Sequence, residues 1–332
     1  MSEGKITISA LLPNYNHAAV LPTAIEAMAG QTRPPDEFLI LDDASTDHSV
    51  EIMESYAAKY PFIRILRNAT NQGVLKGLNR LLEEARGDFV YAGASDDFVF
   101  PGFLEAVGGL ADRYPHCGAS MGKMRNVDLQ GNIVGGYEIP AWEEPIYASP
   151  ERVLEEYYFN VHCTHSISTA TIFRREDAIE FGFEVEMGGW TDLFLIRSIS
   201  LKRGICYYPE ILASYTQDDN SFGTKEAKDP VKQNRISQVA KELMASLKYR
   251  QYYTPEYAEW WVKGFRREMH STCVCGFKEK LDEKLMNDQL RFRHSKWRSR
   301  FSYYWNALLY APKAHFFFKR LDKLLGEDYS LH

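Results

Sequence analysis

Four short apolar runs alternate with helical segments near the start of the chain, and this alternation is the feature that most restricts its fold. The runs cover residues 5–13, 38–41, 62–66 and 89–92. Between them apolar residues recur at helical spacing, most regularly over residues 74–85. Apolar strands that alternate with helices are typical of a parallel sheet covered on both faces. The pattern therefore predicts an α/β fold with a mostly parallel, Rossmann-like sheet between helices.

Polar residues follow each strand at the point where it ends. They are Pro13, Asn14, Tyr15 and Asn16 after the first strand, Asp42 and Asp43 after the second, Asn71 and Gly73 after the third, and Asp96 and Asp97 after the fourth. Ligands of open α/β sheets bind at this carboxyl edge, so we expect the four sets to converge on one crevice. The sequence has no GxGxxG after the first strand and no GxxxxGK[ST], which argues against a dinucleotide site and a P-loop.

Asp96 and Asp97 stand next to each other after the buried strand 89–92. Adjacent carboxylates repel each other unless a positive group lies beside them, and hard divalent cations take oxygen ligands. An acidic surface loop is the alternative interpretation. The second acidic pair, Asp42 and Asp43, favours the interpretation that these carboxylates bind a divalent cation.

Composition restricts the class of protein and its compartment. The chain has 332 residues, 45% of them hydrophobic, which is enough for one large domain or two smaller ones. A net charge of −6 gives no sign of a nucleic-acid partner. The five cysteines are an odd, scattered set that fits a reducing, cytoplasmic compartment, and Cys273 and Cys275 are interpreted as packing residues. We expect neither a signal peptide nor a transmembrane helix.

The order of motifs resembles a known family. PNYN follows strand one, QTRPPDEFLILDDASTD spans strand two, NQG precedes the third helix, and SDD follows strand four. Together they resemble the family 2 glycosyltransferases, which have the GT-A fold, and the resemblance covers residues 6–215. It implies a GT-A-like domain over residues 1–222, with a nucleotide and metal half (1–100) and an acceptor half (101–222). Residues 223–332 would form a helical C-terminal region.

The resemblance also implies how a sugar nucleotide, most simply a UDP-sugar, is bound. Tyr15 would contact the base, and Asp42 and Asp43 would bind uracil and ribose. Pro13 and Asn16 would shape the first loop. Contacts to nucleotide or diphosphate would come from Asn71, Gly73 and Lys76.

The acidic stretch resembles the DXD metal site of the family, although Ala94 stands where many members carry the first aspartate. Ser95 and Asp96 are expected to contact the donor. Either Asp96 or Asp97 is expected to be the one direct protein ligand of Mn²⁺ or Mg²⁺, with diphosphate and water completing the metal shell.

The second half gives weaker signals. We predict a helix over residues 101–114, a strand over 118–126 and a loop over 131–150, in which Glu138, Trp142, Glu143 and Glu144 either face a sugar or are solvated. His162 and His165 lack a further metal ligand at a familiar spacing, so an acceptor or phosphate contact is favoured over a metal site.

Asp192 precedes a predicted helix that ends at Arg203. The family places its catalytic base at this point, so the resemblance implies that Asp192 deprotonates the acceptor hydroxyl. An aspartate at a helix start is also a good N-cap, which is the structural alternative.

The C-terminal region is predicted to be helical throughout. Between residues 291 and 325 the charges are almost all basic and aromatic residues lie among them. Such a segment fits a membrane surface, its own domain or a second subunit of a homo-oligomer. We favour peripheral contact with the inner face of a membrane, because the acceptors of related enzymes are often lipid-linked.

The sequence therefore predicts a metal-dependent inverting glycosyltransferase that moves a sugar from a nucleotide-diphosphate donor to a hydroxyl of a glycan or lipid-linked acceptor. A non-catalytic nucleotide-binding or scaffold protein on the same fold is the first alternative. A sugar-nucleotide pyrophosphorylase is the second, and the sequence PNYN lacks the Gly-rich, Arg-containing loop that it needs.

Overall fold

The first four strands lie side by side and run parallel. In the computed structural model, which describes residues 4–218 and 221–269, they are β1 (Ile8–Asn14), β2 (Glu37–Asp42), β3 (Ile63–Arg67) and β4 (Phe89–Ala92), in the order β3-β2-β1-β4. Asn14 pairs with Asp42, and Asp42 pairs with Arg67, so three of the strands end level with one another. The loops that follow them therefore open onto the same edge of the sheet.

Three helices connect these strands: α1 (Leu21–Ala29), α2 (Ser49–Lys59) and α3 (Val74–Glu84). The buried side of α3 carries Leu75, Leu81 and Leu82, while Lys76 is exposed. Burial of one such leucine is worth about 1.5–3 kcal/mol, so the apolar stripe fixes which side of the helix meets the sheet. The helical spacing seen in the sequence is confirmed here.

The second half adds more strands and a less regular set of helices. In chain order they are β5 (Phe98–Val99), α4 (Phe103–Arg113), β6 (Ala119–Val127), β7 (Ile133–Tyr137), β8 (Ile146–Ala148), α5 (Pro150–Arg152), β9 (Thr171–Arg174), α6 (Arg175–Phe181), α7 (Thr191–Arg203), β10 (Ile205–Thr216), α8 (Phe222–Ala227), α9 (Pro230–Ala245) and α10 (255–269). Short π-helical and 3-10 turns continue α5 to Asn160 and precede β9 and α7.

The strands of the described residues form one mixed sheet, ordered β3-β2-β1-β4-β9-β6-β10-β5. β9 runs antiparallel to both β4 and β6, whereas β6 and β10 pair in parallel. A sheet between helices confirms the predicted fold class. The parallel arrangement holds from β1 to β4, and beyond β4 antiparallel pairs predominate.

The prediction that residues 131–150 form a loop was wrong. β7 pairs antiparallel with β6 through a tight turn in which the Asp128 carboxylate accepts the backbone N–H of Gln130 and Asn132, and β8 pairs with β10. β7 lies at the surface and contains Gly135 and Gly136. It therefore lacks the alternation of apolar and polar residues by which a half-buried strand is recognised.

The C-terminal helices pack against the sheet domain within one apolar core. Ile236 and Met244 on α9 and Tyr257, Trp261 and Phe265 on α10 are all buried in the cluster that contains the sheet. The helical C-terminal region is therefore confirmed as far as residue 269. The predicted basic segment 291–325, Cys273 and Cys275 lie outside the described residues. Within the described part, no helix is long and apolar enough to cross a membrane.

Candidate active site

A cavity of about 250 Å³ opens at the carboxyl ends of β1 and β2. Six of its lining residues are ones that the sequence singled out: Pro13, Asn14, Tyr15, Asp43, Asn71 and Gly73. The others are His17, Leu41, Val74 and Gly77. The cavity thus combines exposed aromatic, carboxylate and amide groups with an apolar floor, the composition expected of a site for a small ligand.

Asp43 organises one wall of this cavity. Its carboxylate accepts hydrogen bonds from Asn68 Nδ2 at 2.6 Å, from the Gln72 amide at 2.9 Å and from the Gly73 amide at 2.8 Å. Gly73 has a φ of 87°, which a residue with a side chain adopts only at a cost, and α3 begins directly after it. Asp43 therefore fixes the loop that leads into α3.

The loops that follow β1 and β2 are tied to each other. Asn16 Oδ1 accepts the Thr46 amide at 2.7 Å, while Ser45 Oγ accepts the Asn16 amide at 3.0 Å. The Asp42 carboxylate is buried and accepts the Ser45 amide. Asn16, Asp42 and Lys76 thus lie around the cavity, and none of them is among its lining residues.

His17 joins the cavity to the acidic pair, and sequence reasoning missed it. The ring lines the cavity, and its Nδ1 hydrogen-bonds the hydroxyl of Ser95, which directly precedes Asp96. Its position in the sequence could have identified it, because a titratable side chain in the polar loop after the first strand lies at the ligand-binding edge of the sheet.

The two adjacent acids have different surroundings. Asp96 is exposed, whereas Asp97 is partly buried and accepts Thr169 Oγ1 at 2.8 Å and the Thr216 amide at 3.1 Å. Burial and the neighbouring Asp96 charge raise the pKa of Asp97 to about 7, although both hydrogen bonds act to lower it. Within the described residues, no positive group is among the main causes that set the pKa of Asp97.

A divalent cation fits this pair, because it would remove the repulsion that raises the pKa of Asp97. Among residues 4–218 and 221–269, no group of three or more His, Cys, Asp or Glu side chains forms a metal site. A cation here would therefore have Asp96 or Asp97 as its protein ligand and would take further ligands from a bound substrate or water.

Asp192 lies in the first turn of α7 and faces the same acids. Its carboxylate lies beside Ser168, and its charge acts on both Asp97 and Tyr215. Burial is the main cause that raises the pKa of Asp192. The N-cap position of α7 belongs to Trp190, and Asp192 accepts only the adjacent Leu193 amide, so capping does not account for its placement.

The other candidates of the second half have structural roles. Trp142 is buried and donates from Nε1 to Glu156, so the interpretation that it faces a sugar was wrong. Both ring nitrogens of His165 are hydrogen-bonded, to Tyr157 and to the Glu138 carbonyl, and burial lowers its pKa to about 3. His165 therefore has no nitrogen left for a metal or phosphate. Glu143 and Glu144 are exposed.

Sequence comparison relates this chain to glycosyltransferases. The model of glycosyl transferase family 2 matches residues 9–182. The uncharacterized glycosyltransferase YibD of Escherichia coli K12 is 38% identical over 100 residues, which are 30% of this chain and 29% of that protein. The putative glycosyltransferase EpsE of Bacillus subtilis 168 is 33% identical over 110 residues, 33% of this chain and 40% of that protein. The chain thus covers less than half of the length of these relatives.

Comparison of structures gives the same fold. Staphylococcus aureus TarS, residues 1–349, superposes with a TM-score of 0.58 at 20% identity and covers 78% of this chain and 70% of that one. The mannosyltransferase PcManGT of Pyrobaculum calidifontis, in complex with GDP-Man and Mn²⁺, has a TM-score of 0.56 at 16% identity and covers 97% and 84%. At these identities the likeness concerns the fold alone.

Proposed function

This chain belongs to glycosyl transferase family 2 and is a glycosyltransferase, and from that premise we propose that it transfers a sugar, with inversion, from a nucleotide-diphosphate sugar to an acceptor hydroxyl. UDP is the expected nucleotide. One observation carries this proposal: a cavity with aromatic, carboxylate and amide groups, the acidic pair Asp96 and Asp97, and the partly buried acid Asp192 all lie at one edge of the sheet.

The donor would bind with its base in the cavity and its diphosphate towards the acidic pair. Tyr15 offers an exposed aromatic face for the base, and Asn71 and the start of α3 offer polar groups and amides. TarS has been solved with UDP-GlcNAc and PcManGT with GDP-Man, which supports a nucleotide-sugar donor without choosing between the two nucleotides.

Mn²⁺ or Mg²⁺ is the proposed cofactor. When bound, such a cation neutralises charge that develops on the departing diphosphate. Asp96 is the better candidate ligand because its carboxylate is exposed, whereas the Asp97 oxygens already accept hydrogen bonds from Thr169 and Thr216.

Asp192 is the proposed general base. A carboxylate whose pKa is raised by burial accepts a proton more readily than one in water, and Asp192 also lies near the acid pair that would hold the leaving group. In a single displacement, Asp192 would take the proton of the acceptor hydroxyl as that oxygen attacks the anomeric carbon. The bond to the diphosphate breaks on the opposite face, which inverts the configuration.

The acceptor class is proposed as a glycan or a lipid-linked hydroxyl. Matching proteins include a chondroitin synthase, a poly(ribitol-phosphate) β-N-acetylglucosaminyltransferase and a cholesterol galactosyltransferase, whose names cover polymers and a lipid. A cytoplasmic location, contact with the inner membrane face, the domain division at residue 222 and a homo-oligomer stay predictions.

A donor screen tests this function. The full chain is incubated with UDP-, GDP- and TDP-sugars with Mn²⁺ or EDTA, and released nucleoside diphosphate is measured. We expect metal-dependent release from one nucleotide class, and loss of that release in Asp192→Asn. If nucleotides bind but none is released from any donor, with or without candidate acceptors, the non-catalytic alternative is supported instead.

A further inference from the structure

The 162–169 loop carries two side chains that contact Asp97 and Asp192. Thr169 Oγ1 donates to Asp97 Oδ2 at 2.8 Å. Ser168 lies beside the Asp192 carboxylate and acts to lower its pKa. Whatever fixes this loop therefore also fixes the orientation of both acids relative to each other.

Two residues from other elements hold the loop by its backbone. Arg197 of α7 is buried, and its Nη2 donates to the carbonyls of Cys163 at 3.0 Å and His165 at 3.1 Å. Glu268 of α10 accepts the amides of Cys163 at 3.0 Å and Thr164 at 3.3 Å. The carbonyls and the amides of the same short segment are thus each bound by a charged side chain.

Further contacts show that α10 packs directly against this loop. Trp261 Nε1 donates to the Cys163 carbonyl at 3.0 Å. A Cβ atom on Gly264 would approach the Cys163 side chain to 3.3 Å, so the helix lies directly against the loop. Glu268 is partly buried, a placement that would raise its pKa, yet its hydrogen bonds with His162, Thr164 and Cys163 lower the pKa to about 2. The Glu268 carboxylate is therefore ionised, and these hydrogen bonds hold it against the loop.

The same helix, α10, also contacts the start of α7, which carries Asp192. Phe265 packs edge-on against Trp190, with ring centroids 5.4 Å apart, and Trp190 is the N-cap residue of α7. Tyr257 accepts a hydrogen bond from Arg197 Nη1 at 2.5 Å. α10 thus contacts the 162–169 loop, the start of α7 and the arginine that connects them.

Taking the proposed function as its basis, we propose that Arg197 and Glu268 are positioning residues for the transfer reaction. They hold the 162–169 loop so that Ser168 and Thr169 aim Asp192 and Asp97, and α10 is thereby a working part of the acceptor half. Neither residue lies in the region 9–182 that the family model matches. Neither residue lines the cavity at β1 and β2, in which the base of the donor would bind.

Glu268→Ala tests this in the full chain, with Glu259→Ala as the matched control. Glu259 is an exposed glutamate of the same helix that pairs with Lys263, one turn further on, at 2.8 Å. Glu268→Ala is expected to lower turnover of the donor found in the screen about tenfold or more, the scale of a misplaced catalytic group. Affinity for UDP with Mn²⁺ should stay within about twofold, as should both quantities in Glu259→Ala.

Two further measurements separate positioning from general packing. Glu268→Gln keeps an acceptor for the loop amides and should recover part of the turnover. Thr169→Val removes the hydroxyl that Asp97 accepts, so its effect on turnover should be less than additive with that of Glu268→Ala. Full turnover in folded Glu268→Ala, additive effects, or a parallel loss of UDP affinity would each overturn the proposal.

Hydrogen–deuterium exchange decides the claim even if the screen finds no donor. Faster exchange over residues 162–169 in Glu268→Ala, with unchanged exchange in β1 and β2, is the expected result. Unchanged exchange over the loop would overturn the positioning role. A wild type that turns over no donor would instead count against the proposed function.

Discussion

The proposed donor half and the proposed acceptor half of the site are built by different means. Around the donor cavity, polar groups come from neighbouring strand ends that the parallel register brings level, such as Asn14 beside Asp42. Around Asp97, by contrast, the contacts come from residues far away in the chain. Asp97 is bound by Thr169, 72 residues on, and by Thr216, 119 residues on. One half is organised by a repeated strand and helix unit, and the other by long-range contacts.

This difference implies that binding and chemistry can be separated by mutation. Changes in the donor half should act first on nucleotide affinity, whereas changes around Asp192 and the 162–169 loop should act on turnover. The predictions below test that separation in order of expected effect.

The largest effect is expected from Asp192→Asn. It keeps the size of the side chain but removes the proton acceptor, so turnover should fall by about 10²–10⁴-fold, the usual contribution of a general base. UDP affinity measured by calorimetry should stay unchanged. A comparable loss of affinity would show that the two halves are not separable at this residue.

Asp43→Ala should act on the donor half instead. The amides of Gln72 and Gly73 and the Asn68 side chain would lose their acceptor, which should lower the free energy of unfolding by about 2 kcal/mol or more. UDP affinity should fall with the disordered cavity wall. Chemical denaturation and calorimetry measure both quantities, and exposed Glu54 provides a control alanine variant. Unchanged affinity would place the nucleotide elsewhere.

The raised pKa of Asp97 predicts that the stability of the metal-free protein depends on pH. Its pKa is about 7 in the folded chain against 3.8 as the reference value, so between these pH values the folded chain keeps a proton that the unfolded chain has lost. Raising the pH across this window therefore favours unfolding, by about 1.4 kcal/mol per pH unit at the steepest.

Asp97→Asn isolates this effect. The difference in free energy of unfolding, wild type minus variant, should fall as pH rises from about 4 to about 7 and then level off. His165 has the opposite dependence, because its lowered pKa removes stability as pH falls below its reference value of 6.5, yet it is present in both proteins and cancels. A flat difference would contradict the burial that raises the pKa of Asp97.

The smallest effect is expected from Tyr15→Ala. Stacking of a base on an aromatic ring is worth about 1–3 kcal/mol, so UDP should bind about tenfold more weakly. Stability should not change, because Tyr15 is 43% exposed. Tyr15→Phe retains the ring and should bind UDP as the wild type does. Equal affinities of the alanine and phenylalanine variants would remove Tyr15 from the base contact.

The same difference explains what could be predicted from the sequence. The strands and helices of residues 4–92 and six cavity residues could be predicted, because each feature depends on a short local pattern. The insertion of β9 between β4 and β6, the partners of Asp97 and the burial of Trp142 could not, since they depend on contacts between distant segments. β7 was missed because Gly135 and Gly136 carry no side-chain pattern.

The most direct test of the account is a titration of the protein with UDP in Mn²⁺ or in EDTA, for wild type, Asp96→Ala and the control Glu51→Ala, whose side chain is exposed. The account predicts Mn²⁺-dependent binding that weakens by about tenfold or more in Asp96→Ala, the scale of a lost contact to a charged group, and is unchanged in the control. Binding that ignores both Mn²⁺ and Asp96, or no binding, would contradict a metal-assisted nucleotide site at this edge of the sheet.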